Sequence, residues 1–365
     1  MRSTILLCLL LLIVPVLSGQ GIQSFFLSSG TSDTFPLSNS VVVLETFGDT
    51  VWIGTGAGLG MTATAGNAWL NFSSASGTSD NAVSAIAVDD SLLIFSTGYS
   101  ETRDGNSVAV GAGLFRSTDR GTTWTHIPQP VDSGTVDTLL YGDNRIPALA
   151  ITVPQQNITY DIALTRGTIW IASFAGMLRK STDQGGSWER VILPPDNLNS
   201  ISPEDTLSFD LSPARGNLGL SENLNHRVFS VYSSDDTTLW VGTANGINKS
   251  TDGGVRWVKF NHQNQSNPIS GNFVVALREQ RWGSRRILWA ATVNALDPDE
   301  QQGVSFSDDG GATWKTTLIG ERAHNFAFKD SIVYVATNRG VFRSDDEGKT
   351  WRLNGTVFDP VSGQR

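Results

Sequence analysis

The sequence predicts an all-β protein, a β-propeller of four-stranded blades, with six blades as the first count and seven as the alternative. Three observations carry this prediction. A phrase of the form Ser-x-Asp-x-Gly-x-x-Trp returns as RSTDRGTTW (116–124), KSTDQGGSW (180–188), KSTDGGVRW (249–257), FSDDGGATW (306–314) and RSDDEGKTW (343–351). A second phrase, an aromatic within a β-branched run followed by small residues, appears as TVWIGTGAGL (50–59), TIWIASFAGM (168–177), TLWVGTANGI (238–247), ILWAATVNAL (287–296) and IVYVATNRGV (332–341). The composition, with 37 Gly, 13 Pro and only 17% charged residues in 365, suits short strands joined by many turns.

Each unit is built from the same parts in the same order. A first strand is expected at 40–48, 82–90, 158–166, 227–235, 272–280 and 323–331. The aromatic phrase is the second strand, ending in a turn. From its aromatic to the box Trp the distance is 17 residues for Trp52–Trp69, Trp240–Trp257 and Tyr334–Trp351, and 18 for Trp170–Trp188. It grows to 25 for Trp289–Trp314, where NALDPDEQQG (294–303) is inserted. In the second unit Leu93 takes the aromatic place and YSETRDGNSVAVGAG (99–113) lengthens the path to Trp124. A strand into the box and a strand out through Trp complete four. Six units end near Trp69, Trp124, Trp188, Trp257, Trp314 and Trp351. Repetition of one short antiparallel unit is the mark of propeller blades.

The box has a physical reading. Strands three and four must join through a tight hairpin, where a short carboxylate can accept several backbone N–H groups of its own turn. Gly supplies a left-handed backbone position, Ser bridges the turn, and Trp returns a large apolar ring to the sheet edge. The residues in these scaffold roles are Ser117, Asp119, Gly121 and Trp124; Ser181, Asp183, Gly185 and Trp188; Ser250, Asp252 and Trp257; Ser307, Asp309, Gly311 and Trp314; and Ser344, Asp346, Gly348 and Trp351. In the first unit Thr64 stands where Asp is expected.

MRSTILLCLLLLIVPVLSG reads as a secretory signal, with Arg2 ahead of an apolar stretch and Val16-x-Ser18 as the cleavage site. We therefore expect a signal peptide at 1–18, then a single propeller domain at 19–365 that could be cut short at its C-terminus, and a secreted, bacterial-type monomer with no membrane span once mature. The one Cys, Cys8, lies in the signal, so disulfides would not hold the mature chain. A net charge of −9 without basic blocks excludes a nucleic-acid surface.

The repeated box resembles the Asp-box, or BNR, repeat of sialidases, sortilin-type receptors, large xyloglucan hydrolases and photosystem II assembly factors, across residues 40–355. LWVGTANGI is also similar to propeller repeats of bacterial sensor proteins. The resemblance implies a propeller; it implies little about chemistry, because such repeats occur in enzymes and in binders alike. Arg145-Ile146-Pro147 is similar to the arginine phrase with which sialidases grip a carboxylate, but it follows the second box and lacks the preceding aromatic. Of five Tyr, Tyr160, Tyr232 and Tyr334 fall in expected strands, Tyr141 in a connection, and Tyr99 at the start of an insertion. No catalytic residue is identified. His126, His226, His262 and His324 lack ligand spacing, so no metal and no cofactor is expected.

Topology says where recognition would sit. The loop between strands two and three and the connection between blades share the face opposite the boxes, and the long segments 99–113, 129–147, 195–226 and 294–303 all fall there. The candidate ligand contacts are Arg103, Asp104, Arg145, Asp205, Asp210, Arg215, Glu222, His226, Asp297 and Asp299. The expected partner is an extracellular glycan or protein; a glycoside hydrolase of sialidase-like or other Asp-box type is the alternative.

Overall fold

The computed structural model describes residues 35–63, 68–211 and 223–354. The fold is all-β, a β-propeller with six blade sheets, each antiparallel and each in the order first to fourth strand. The described chain forms two compact units, one of residues up to 192 with 207–211, the other of 193–206 with 223–354. Each unit holds three blades.

In the first unit, blade one is β1 (Val41–Phe47), β2 (Thr50–Thr55), β3 (Gly58–Thr62) and β4 (Leu70–Phe72). Blade two is β5 (Ala82–Val88), β6 (Leu93–Arg103), β7 (Asn106–Ser117) and β8 (Thr125–Ile127). A two-stranded hairpin, β9 (Thr138–Tyr141) and β10 (Asn144–Pro147), rises from the connection that follows. Blade three is β11 (Thr159–Thr165), β12 (Thr168–Ser173), β13 (Met177–Ser181) and β14 (Glu189–Val191).

The second unit begins with a short strand, β15 (Ser200–Ile201). Blade four is β16 (Val228–Ser233), β17 (Leu239–Thr243), β18 (Gly246–Ser250) and β19 (Trp257–Phe260); β15 pairs with β19 as a fifth strand. Blade five is β20 (Phe273–Trp282), β21 (Arg285–Val293), β22 (Gly303–Ser307) and β23 (Lys315–Thr317). Blade six is β24 (Ala323–Lys329), β25 (Ile332–Thr337), β26 (Gly340–Ser344) and β27 (Arg352–Asn354).

Burial explains the second-strand phrase. Its tryptophan is interior in four of the blades: Trp52, Trp170, Trp240 and Trp289 are all 4% exposed or less, while Tyr334 of blade six is half-buried. The small residues that follow leave room for the next blade. A Cβ on Gly242 would stand 2.7 Å from Val274 Cγ1 of blade five, and one on Gly54 would stand 2.6 Å from Val83 Cγ1 of blade two. Every first strand also carries a register shift near its start, as at Thr159/Asp161 and Val274/Ala276. Such bulges raise the local twist where the strand enters the sheet.

The boxes are turn staples, with the roles divided differently from expectation. In blade three the Ser181 hydroxyl donates to Asp183 Oδ1 (2.8 Å) and accepts from the Gly185 N–H (2.7 Å). Asp183 accepts from the Ser187 N–H (2.8 Å) and from the Ser187 hydroxyl (2.6 Å). Asp119, Asp309 and Asp346 repeat these contacts with Thr123, Thr313 and Thr350. So the carboxylate holds one backbone N–H and a hydroxyl, while the serine holds the glycine. In blade four the hydroxyl's place is taken by Arg256, whose N–H and guanidinium both reach Asp252 (2.9 and 3.3 Å). The box glycine is required twice over. Gly185 has φ +92°, and a Cβ there would meet Ile127 Cδ1 of blade two at 2.5 Å. Within each compact unit a box lies against the preceding blade: Trp124 meets Phe72 edge-on at 5.4 Å, and Trp351 meets Trp289 perpendicularly at 6.3 Å. The position of Thr64 and the segments 1–34 and 355–365 lie outside the described residues.

Candidate functional site

The long hairpin of blade two builds the clearest surface. Strands β6 and β7 pair continuously from Gly98↔Gly111 to Arg103↔Asn106, beyond the end of the blade. The segment 154–156 joins them as a third strand: Gly111 N–H donates to Pro154 O (3.0 Å), Gln156 N–H donates to Ala109 O (2.7 Å), and Val110 bridges Gln155. Side chains alternate along a strand, so Tyr99, Glu101 and Arg103 share one face of β6, and Gln155 shares it from across the sheet. Gln155 Nε2 donates to Glu101 Oε1 at 3.1 Å, and Arg103 Nε pairs with the same carboxylate oxygen. Tyr99 is 43% exposed. An exposed ring, an amide, a carboxylate and a guanidinium thus lie on one small sheet.

The connection behind this surface is pinned rather than loose. Gln129 Nε2 donates to Asn157 O (2.6 Å), Asn157 Nδ2 donates to Pro130 O (2.9 Å), and Ser173 Oγ donates to Asn157 Oδ1 (2.7 Å). Asp132 pairs with Arg179 and Arg190. The corresponding connection in the second unit is fixed in the same manner. Lys259 Nζ donates to the carbonyls of Pro195 (3.1 Å) and Asp196 (2.8 Å), and the Asp196 carboxylate accepts the N–H groups of Leu224 and Asn225. Burial draws the Lys259 ammonium down to about 8, with Asp196 acting against the shift. The insertion at 294–303 is also fastened, since Glu300 accepts the N–H groups of Asn272 (2.9 Å) and Ala295 (2.7 Å).

The sequence candidates have different fates. In the first unit, Arg103 lies on the platform, Asp104 at the tip of its hairpin with φ +49°, and Arg145 on exposed β10, outside the blades, next to fully buried Ile146. Asp210 is exposed near Leu211, which hydrogen-bonds to Pro147. In the second unit, Asp205 accepts the Ser202 N–H (2.7 Å), Asp297 accepts the Asp299 N–H (2.9 Å), and Asp299 is exposed. His226 does not face solvent. It is 1% exposed, accepts the Leu193 N–H at Nε2 (3.2 Å), and burial pushes its pKa down to about 3. Arg215 and Glu222 lie outside the described residues. Two of the connections carry strands of their own. Tyr141 lies in a connection, as expected, and there ends β9, and the stretch 195–206 contributes β15 to the sheet of blade four. The sequence reading missed Glu101, which pairs with Arg103, and Gln155, which donates to Glu101. The acceptor pattern joins residues 54 positions apart and has no local signal.

Among the described residues, no group of three or more His, Cys, Asp or Glu could hold a metal ion, and no helix is long and apolar enough to cross a membrane.

The fold and its repeated unit place the chain among the β-propellers. No family model matches it. The chain is 28% identical over 201 residues to a sialidase of Bacteroides fragilis (strain YCH46), an alignment covering 49% of this chain and 35% of the sialidase. It is 22% identical over 236 residues to the xyloglucanase Xgh74A of Acetivibrio thermocellus, covering 59% of this chain and 25% of that enzyme. Among solved structures, an ancestral GH74 enzyme aligns with a TM-score of 0.53 at 14% identity, over 90% of this chain and 40% of that one. The matched part is therefore about a third of the sialidase and a quarter of the xyloglucanase.

Proposed function

We propose that this chain is an exported carbohydrate-binding propeller that takes a glycan on the Tyr99–Glu101–Arg103–Gln155 platform. The observation that supports it most is the arrangement of those four side chains on one face of an extended, three-stranded hairpin. A sugar ring offers an apolar C–H face and a rim of hydroxyls. An exposed phenol ring stacks on the first, and planar amide, carboxylate and guanidinium groups bond the second in fixed directions. The ion pair and the Gln155 bond pre-set these groups, which lowers the cost of ordering them on binding. The two curated relatives, a sialidase and a xyloglucanase, favour a carbohydrate over a protein ligand.

The same relatives favour a second reading, glycoside hydrolysis. Paired-carboxylate hydrolysis needs two carboxyl groups about 5–10 Å apart across the scissile bond. On the platform Glu101 is engaged by Arg103 and Gln155, a geometry that suits holding a ligand. A binding array of sialosides and plant and microbial polysaccharides, run beside reducing-sugar release on the same panel, tests both readings. Retention of a glycan without product release supports the binding reading. Product release supports the hydrolase. Neither retention nor release across the panel would sink both.

A further inference from the structure

Blade three carries two arginines side by side in its interior. Arg179 of β13 and Arg190 of β14 are register partners, so their side chains leave the same face of the sheet, and those side chains are 1% and 2% exposed. Asp132, from the connection packed over that face, meets both: Oδ1 lies 2.9 Å from Arg179 Nη1 and Oδ2 lies 3.1 Å from Arg190 Nη2. Oδ2 also accepts the Ile151 N–H at 2.8 Å. Arg190 Nη1 donates to Leu149 O (3.1 Å) and lies 3.7 Å from Met177 Sδ.

These contacts do not satisfy the pair. Nε and Nη2 of Arg179 and Nε of Arg190 are buried donors with no hydrogen-bond acceptor among the described residues, and Arg190 Nη2 meets Asp132 outside hydrogen-bonding geometry. Two guanidiniums against one carboxylate leave +2 − 1 = +1 in the interior. Burial draws the Arg190 guanidinium down to about 10, with Arg179 adding its repulsion and Asp132 opposing. An uncompensated buried charge is strongly unfavourable, and buried N–H donors are normally paired.

We propose that the Arg179–Arg190–Asp132 cluster holds one small monovalent anion, a halide such as chloride, against the guanidinium edges. Charge selects this class. One negative charge brings +1 to zero, whereas a divalent oxyanion would bring it to −1 and add oxygens that need further donors. A spherical ion accepts N–H groups from several directions, which suits the unpaired donors of two neighbouring guanidiniums. The site would couple to the connection 128–158, because Asp132 supplies its carboxylate arm and Ile151 fixes that arm in place.

The test uses the full chain. At constant ionic strength, wild-type protein in sodium chloride should melt about 2–4 °C higher than in sodium gluconate, with single-site saturation. Arg179→Met makes the cluster neutral and should abolish the difference between the two salts. Should that variant not fold, Arg190→Lys keeps the charge but changes the donor geometry and should weaken the chloride response at least tenfold in midpoint concentration. Crystals of wild type grown in bromide should show an anomalous peak within hydrogen-bonding distance of both guanidiniums. Absence of that peak at saturating bromide overturns the proposal. A chloride response equal in wild type and variant assigns the salt effect to another place and overturns it as well.

Discussion

Arg190 and Lys259 occupy the same place in two successive blades. Each stands two residues past its box tryptophan, Trp188 or Trp257, in the fourth strand, and each is withdrawn from solvent. Each reaches back to the connection that leads into its own blade: Arg190 to Asp132 and Leu149 O, Lys259 to the carbonyls of Pro195 and Asp196. A cation on the outer strand thus anchors the two longest connections of the molecule.

Removing the Lys259 anchor should show as lost stability. Lys259→Met keeps the apolar stem but leaves two carbonyls without their donor, at a cost of about 1–3 kcal/mol. Urea unfolding with an unchanged m-value and a lower midpoint is the expected result. No change in midpoint would mean that the ammonium contributes nothing net.

Within a box, serine should matter more than its size suggests. Ser181 is 2% exposed, and its hydroxyl is the acceptor for the Gly185 N–H. Ser181→Ala leaves that buried N–H without an acceptor and should cost about 1–3 kcal/mol. Asp183→Asn should also lower the melting temperature, while leaving glycan retention as it is. Retention lost without a change in melting would remove the box from the scaffold.

The pH profile should have two parts. His226 titrates at about 3 in the folded chain against about 6.5 in a free one, so the unfolded state takes up the proton first. Its contribution is complete above pH 6.5 and falls as the pH drops toward 3, by up to about 1.4 kcal/mol per pH unit. His226→Gln should flatten stability between pH 4 and 6 when urea midpoints are compared. A second loss belongs to Asp119, Asp183, Asp309 and Asp346. The Thr123, Ser187 and Thr313 hydroxyls in the first three, and the Thr350 N–H in the last, hold the carboxyl at about 2 against 3.8. Their stabilisation is present above about pH 4 and disappears as the pH falls through 2, and it should persist in the His226 variant.

On the platform, Tyr99→Ala should weaken glycan retention by roughly tenfold or more, with Tyr99→Phe closer to wild type, because stacking area is kept. Arg103→Ala frees Glu101 from its ion pair and should reduce retention with little change in melting, since exposed pairs stabilise weakly. Affinity electrophoresis with soluble polysaccharide reads both. Equal migration of wild type and Tyr99→Ala on a retained glycan would place the binding surface elsewhere.

What the sequence showed, and what it did not, divides by contact range. The second strands and the box turns were readable because their signals repeat within a few residues: a β-branched run around Trp240, a Ser-Asp-Gly-Trp phrase around Asp183. The β9–β10 hairpin was hidden, since YGDNRI has little β-branched character beyond its turn residues, and β15 was hidden because two residues cannot carry a period. The extension of β20 and β21 to Trp282 and Arg285 was equally silent, though it brings Arg285 within 3.1 Å of Glu347 in the next blade's box. The Arg179–Arg190–Asp132 cluster was least readable of all. A strand reading MLRKS gives no hint that Arg179 points inward, and the carboxylate that draws it there lies 47 residues upstream.

Each Ser-Asp staple closes within four residues of chain, as from Asp183 to Ser187 and from Ser181 to Gly185. Loops that short close in well under a microsecond, long before strands 60 residues apart can meet. The hairpins can therefore exist as preformed corners in a chain that has no blades yet, and each corner fixes the register of its third and fourth strands. Assembly then becomes a problem of docking ready-made edges rather than of searching for pairings, and changes at Ser181 or Asp183 should register in the folding rate more than in the unfolding rate.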